Sequence, residues 1–531
     1  MKLKKSVFVV SIALVLFVVF VFAVYANTDI NGCTDIVVGK KASTDGSVIT
    51  SHTVDGRYDS RIIIVPAADH EPGEMAPVYE WIVYADYMPL VKLGEIPQVA
   101  HTFKYFNGAY PYANEHQVII GETTLGGATE TKNSEDAIMT IEQLEVFALQ
   151  RAKTAREAIK IMGELSEKYG YRESCWLGEC LTVTDPNEAW VFEIYGVGPL
   201  WTPESGKPGA VWCAQRLPDD HITCVPNMSR IAEIDPSDTE NFMVCDNYIK
   251  TAVELELYDP KSEEPFVWKK VYGGIHDSYW GTGCRLRIWR VYSKLAPSRN
   301  WALEDAPDYP FSIKPDKKVS YQDVISLLRE TYAGTKYDMT EDPDWFVPGK
   351  EGWEKSPLAT PQVDGTWRAL LDITYYRPIA RYNCSYYFVS QARDWMPDEI
   401  GGVVWFGLDN PENSPFIPVY TGINAVPESW SHLDRDKFDR ESAWWAFGLV
   451  DDSVNHRYGD LKPELDKVLV PMQEDMFAMQ EPIEKAALDL YKTSPELAQK
   501  FLTNYTCSLM SHTEEVYWDL VDKFLFELNN N

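Results

Sequence analysis

Cys33 stands where an export-type leader gives way to strand-forming sequence, and this junction constrains the fold more than any other feature. Met1-Lys-Leu-Lys-Lys5 is a basic n-region, Ser6 to Val24 is almost unbroken apolar sequence, and Val24-Tyr25-Ala26 has the small-residue pattern of a cleavage site. The reading is a signal peptide over 1–26, a short pro-segment over 27–32, and one domain over 33–531, exported to the periplasm, the cell surface or the medium. An uncleaved membrane anchor is the alternative, because the apolar run is long enough to span a bilayer.

Beyond the junction, Thr34 to Val38 and Val48 to Val54 read as short strands joined at Asp45-Gly46, a pair suited to the φ > 0 geometry of a tight hairpin. Processing before Cys33 makes the cysteine a chain terminus. A terminal cysteine carries its own base, because an α-amino group with an ordinary pKa of about 8 can accept a thiol proton near neutrality.

The formal charge is −31, and loss of Lys2, Lys4, Lys5 and Asp29 with the leader takes it to −33. That field repels phosphate backbones, so nucleic acid is excluded as a partner. Besides Cys33 there are cysteines at 175, 180, 213, 224, 245, 284, 384 and 507, an even set that fits either disulfides in an exported protein or free core thiols. No Cys-x-x-Cys pair occurs and histidine is scattered, so the spacing supports no zinc site, and no cofactor is called for.

Strands are expected again at Arg61 to Val65 and Val118 to Thr124, then two helices. Thr140-Ile-Glu-Gln143 and Thr154-Ala-Arg-Glu157 are both capping-box openings, and Gly170 is the expected stop of the second helix. Leu181 to Thr184 and Ala189 to Ile194 flank turn residues and read as a hairpin, and Val211 to Arg216 with His221 to Val225 read as another. Helical pieces at Cys284 to Leu295 and Tyr321 to Tyr332 are followed by strands at Ser385 to Ala392 and Gly402 to Phe406, and by a helical tail from Glu474 to Leu528. Strands before and after helices, without βαβ alternation, indicate an α+β fold.

The chain has no Gly-x-Ser-x-Gly elbow, no P-loop, no dinucleotide fingerprint and no His-Glu-x-x-His. Cys33 is therefore the nucleophile candidate, with three readings open. It is an N-terminal nucleophile released by cleavage after Gly32, a lipidated cysteine, or a buried structural cysteine. Asn27, Asp29 and Asn31 interrupt the apolar run that a lipoprotein signal carries up to its cysteine.

Cys33-Thr-Asp-Ile-Val-Val-Gly-Lys-Lys-Ala-Ser-Thr-Asp-Gly-Ser47 resembles the opening of the dipeptidase A and secernin family of cysteine peptidases. These are N-terminal-nucleophile hydrolases related to choloylglycine hydrolases and penicillin V acylase. The likeness continues through Gly121-Glu-Thr-Thr124, Asn187-Glu-Ala-Trp-Val-Phe-Glu193, Ala214-Gln-Arg-Leu-Pro-Asp-Asp220, Pro226-Asn227, Tyr337-Asp-Met-Thr340, Ile400-Gly-Gly-Val-Val-Trp-Phe-Gly407 and Pro418-Val-Tyr-Thr-Gly422.

The resemblance implies an αββα four-layer sandwich and hydrolysis of short peptides, chiefly dipeptides, with no cofactor; homo-oligomers are common among such relatives. Cys33 would attack the scissile carbonyl, Asp55 would hold its α-amine, and His52 stands where many relatives carry arginine. Asn227 and a backbone N–H near Thr123 or Thr124 would form the oxyanion hole. Arg287 would support the nucleophile, with Arg285 and Arg290 as alternatives on the same helix. Glu122 would hold the substrate's ammonium. Read without the resemblance, Asn227 is a turn residue or, in Asn227-Met-Ser229, a glycosylation acceptor.

Overall fold

The strands around Cys33 fold into two antiparallel sheets that face each other. The computed structural model describes residues 32–80, 91–173, 177–273, 281–350, 352–434 and 436–530. The expected signal peptide, nearly all of the pro-segment and Cys175 lie outside the described residues. Among the described residues no helix is long and apolar enough to cross a membrane.

Gly32–Cys33 pairs with Ile49–Asp55, setting Gly32 opposite Asp55 and Cys33 opposite Val54. After Thr34 the chain continues as Asp35–Val38, which pairs with the other end of the same strand. The ladder is interrupted at Thr34, and side chains fill the gap: Thr53 Oγ1 accepts from Thr34 N and Ser51 Oγ from Ile36 N. Gly46 adopts φ +90° as expected. The connection is nevertheless no tight hairpin, because Val38 is already opposite Ile49 and residues 39–48 form a loop.

This seven-stranded sheet runs Ile222–Val225, Asp35–Val38, Ile49–Asp55, Cys384–Gln391, Val403–Leu408, Ile417–Tyr420, with Gly32–Cys33 added on Ile49–Asp55. The second, eight-stranded sheet is centred on Ile119–Leu125, Gly178–Thr184, Ala189–Tyr195 and Val211–Arg216. Ile119–Leu125 and Gly178–Thr184 pack across from Ile49–Asp55, which brings Cys33 between the sheets.

The expected pairing of Val211 to Arg216 with His221 to Val225 does not form. Val211–Arg216 pairs with Ala189–Tyr195, whereas Ile222–Val225 crosses to the other sheet and pairs with Asp35–Val38. The turn residues Pro218 to Asp220 make a crossover rather than a hairpin: Asp219 O accepts from Lys41 N and Ala42 N of the first loop. The fold is α+β. Ile141–Arg151 and Ala155–Tyr169 lie on the second sheet, and Gly281–Leu295, Tyr321–Leu328 and three C-terminal helices lie on the first.

Thr140 and Thr154 cap their helices as read, accepting from Gln143 N and Glu157 N. Neither forms the reciprocal box: Gln143 Oε1 accepts from Tyr79 N, and Glu157 Oε2 from Lys153 N. The Tyr321 helix ends at Leu328, short of Tyr332, which takes φ +65°. The tail begins earlier than expected, as Ala443–His456, Tyr458–Tyr491 and Pro495–Asn530, with Pro463, Pro471 and Pro482 inside the middle helix. All eight described cysteines are free thiols, so the disulfide alternative finds no pair among them.

Candidate active site

Three strands deliver three side chains to one point between the sheets. Cys33 Sγ donates to Glu122 Oε2 at 3.4 Å, and His52 Nε2 lies 3.8 Å from the same oxygen. All three residues are essentially inaccessible. Strand alternation puts Glu122 and Thr124 on the face toward Cys33, where Thr124 Oγ1 donates to Glu122 Oε1 at 3.1 Å. It turns Thr123 to the other face of its strand, so Thr123 offers this site main chain only.

Asn227 holds the main chain of Cys33. Its Oδ1 accepts from Cys33 N at 3.0 Å, and its Nδ2 donates to Thr124 O at 2.9 Å. The residue takes φ +59°, a left-handed turn that asparagine tolerates better than most residues. At 1% exposure it is no glycosylation acceptor.

Arg287 is the arginine of the three that faces inward. Its Nη1 donates to Cys33 O, Thr34 Oγ1 and Asn227 Oδ1, and its Nη2 to Pro226 O and Asn227 Oδ1. The buried stripe of its helix runs through Cys284, Arg287, Ile288 and Val291, a helical spacing that already distinguishes it in sequence. Arg290 is committed to a bidentate pair with Glu330, and Arg285 is half-buried.

Asp55 lies opposite Gly32 in the ladder, near enough to Cys33 for its charge to raise the thiol. Arg377 Nη2 donates to Asp55 Oδ2 at 2.6 Å, while among the described residues Asp55 Oδ1 has no hydrogen-bond donor. Sequence reading missed Arg377, which sits in irregular chain with no periodicity to mark it. It also missed Glu145, fully buried on the first helix, whose carboxyl is pushed well above the usual range by burial and by nearby Glu122, Glu142 and Asp35.

Burial sets the protonation of the cluster. It pushes the Cys33 thiol well above its ordinary value, with the charges of Glu122, Asp55 and Asp35 adding to the effect. Glu122 is raised chiefly by burial, against hydrogen bonds with Glu179, Cys33 and Thr124 that lower it. Burial lowers His52 to about 3, so its imidazole is neutral and its approach to Glu122 is no ion pair. The rings of Tyr110, Tyr386 and Phe388 enclose it. Where arginine would bring a fixed cation, His52 brings none; the permanent cation beside Cys33 is Arg287.

Gly121 lets the sheets approach this closely. A Cβ there would lie 2.6 Å from Asp35 Oδ2, 2.8 Å from Thr182 Oγ1 and 3.0 Å from Ser51 O. Any larger residue would push Glu122 away from Cys33.

The model of peptidase family C69 matches residues 32–469. The chain belongs to this peptidase family. A probable dipeptidase of Latilactobacillus sakei is 25% identical over 517 residues, covering 94% of this chain and 96% of the relative. Probable dipeptidase B of Streptococcus pyogenes serotype M1 is 23% identical, with 88% and 87% covered, and dipeptidase A of Lactobacillus helveticus is 24% identical, with 82% and 85% covered. The family match begins at Gly32, one residue before the cysteine.

Proposed function

We propose that this C69 peptidase is an exported, self-processing cysteine dipeptidase of the N-terminal-nucleophile class, with Cys33 as nucleophile. The observation that carries the reading is the clamp on Cys33. Asn227 holds its nitrogen, Arg287 its carbonyl oxygen and Glu122 its thiol, while Asp55 faces Gly32 across the ladder.

In the joined chain the Cys33 nitrogen is an amide and offers no base, and burial keeps the thiol protonated. Glu122, already accepting from the thiol, is positioned to take its proton as sulfur attacks the Gly32 carbonyl. The peptide C–N bond then breaks, the Cys33 nitrogen leaves as an amine carrying that proton, and water hydrolyses the resulting thioester. The released amine keeps Asn227 Oδ1 as an acceptor, and Asp55, opposite Gly32 in the ladder, would balance its charge.

In turnover the amine takes the thiol proton, sulfur attacks the substrate carbonyl, and the amine returns the proton to the leaving group. Asn227 Nδ2 has a second hydrogen beyond the one given to Thr124 O, which suits a developing oxyanion. A free substrate N-terminus is a cation, and the Glu122 carboxyl beside the Cys33 thiol is the group that would receive it.

The buried thiol disfavours the lipoprotein reading, because a diacylglycerol on Sγ has no route to a membrane from between two sheets. Intact mass and N-terminal sequencing test the processing: a Cys33 terminus is expected, and a lipid adduct or an uncut Gly32-Cys33 bond in active protein overturns it. Dipeptides assayed beside their N-acetylated forms test the substrate. Preference for the blocked forms would instead favour an acylase of N-acyl amino acids. Cys33→Ala is expected to abolish both processing and turnover.

A further inference from the structure

Cys33 Sγ, a ring nitrogen of His52 and a carboxylate oxygen of Glu122 all lie within 4.8 Å of one another. A tetrahedral ion with bonds of roughly 2.0–2.3 Å to such atoms needs them about 3.3–3.7 Å apart. The observed Sγ to Oε2 distance of 3.4 Å falls in that range and Nε2 to Oε2 at 3.8 Å is just outside it, while the thiol and imidazole lie within 4.8 Å of each other. The donors come from three strands, Gly32–Cys33, Ile49–Asp55 and Ile119–Leu125, each held by a ladder to a neighbouring strand.

His52 supplies an independent observation. Among the described residues neither ring nitrogen has a hydrogen-bond partner, although the side chain is fully buried. An unpartnered buried imidazole costs stability, and its lone pair is what a cation would engage.

We propose that Cys33, His52 and Glu122 form a binding site for one zinc-class divalent cation, and that its occupancy blocks the nucleophile. One thiolate, one imidazole and one carboxylate favour zinc, cadmium or cobalt over magnesium or calcium. Binding replaces the S–H bond by a sulfur–metal bond and sends that proton to solvent. Thiolate and carboxylate together balance the dication. Arg287 opposes a cation only in part, because its guanidinium donates to main chain, Thr34, Asn227 and Cys284 rather than to the Cys33 sulfur. The binding claim stands apart from the proposed activity; the blocking claim rests on it.

Cobalt(II) titration of the purified full chain tests binding by absorption. One equivalent is expected to produce a thiolate-to-cobalt charge-transfer band and intense ligand-field bands, both displaced by zinc. Cys33→Ser should lose the charge-transfer band, and His52→Phe, which fills a space already walled by aromatic rings, should weaken binding at least tenfold. Unfolding curves confirm that each variant is folded, and Cys33→Ser serves if His52→Phe is not. Dipeptide turnover should fall in proportion to bound zinc and return with a chelator. Absence of a stoichiometric band, or His52→Phe binding within twofold of the original protein, overturns the site. Turnover that rises with zinc overturns the blocking role, whereas cobalt binding in a protein without dipeptidase activity counts against the proposed function alone.

Discussion

Replacing Arg287 with lysine keeps the positive charge and removes the planar fork. The guanidinium is fully buried and donates to five oxygen acceptors, Gly283 O, Cys33 O, Thr34 Oγ1, Asn227 Oδ1 and Pro226 O, and to Cys284 Sγ at 3.6 Å. A lysine ammonium has three donors on one nitrogen, so at least two of these acceptors lose their partner. Hydrogen bonds from a charged group contribute about 1.5–3 kcal/mol each, so Arg287→Lys should cost about 3–6 kcal/mol. Urea unfolding followed by tryptophan fluorescence reads this as a lower midpoint at unchanged slope. Turnover should fall with it, because Arg287 positions both Cys33 and Asn227. A variant within about 1 kcal/mol of the original protein, the range of ordinary surface changes, would refute the clamp.

Gly121→Ala should cost about 1–3 kcal/mol by overpacking the gap between the sheets, and should reduce turnover more than stability because Glu122 moves. Thermal unfolding beside a steady-state assay checks this, and an unchanged kcat counts against the close approach. Arg377→Met strands the Asp55 carboxylate in the core and should cost about 3–5 kcal/mol; Asp55→Asn added to it should recover part of the loss. His52 is lowered from its ordinary 6.5 to about 3, so the unfolded chain binds the proton more readily. Its contribution is fully present above pH about 6.5 and is lost as pH falls toward 3, amounting to about 4–5 kcal/mol. The stability of His52→Phe should lack that segment of acid dependence, and identical pH profiles would refute the assignment.

Capping threonines, helical stripes and the turn residues around Gly46 are local signals, and the helices starting after Thr140 and Thr154 follow them closely. The strand with His52 and Asp55 and the strand with Glu122 were legible for the same reason. Where the chain turned without pairing, local chemistry misled. Pro218 to Asp220 carry hairpin residues, yet the next strand finds its partner in Asp35–Val38, because only there is its face buried. Prolines 463, 471 and 482 obscured the middle C-terminal helix, which buries Leu461, Leu465, Leu469 and Met476 along one stripe despite them.

The sequence determined that the fold mixes strands and helices, and its resemblance to a known family singled out Cys33, Asp55, Glu122, Asn227 and one of three arginines as the groups to watch. Tertiary structure decided what these groups touch. Cys33, Glu122, Asn227, Arg287 and Arg377 are far apart in the chain, and no spacing in sequence encodes a 3.4 Å contact between a thiol and a carboxyl on the facing sheet. Strand pairing, the close approach at Gly121 and a helix laid across Pro226 and Asn227 bring them together. Burial at that point, rather than residue type, leaves His52 neutral and the Cys33 thiol protonated.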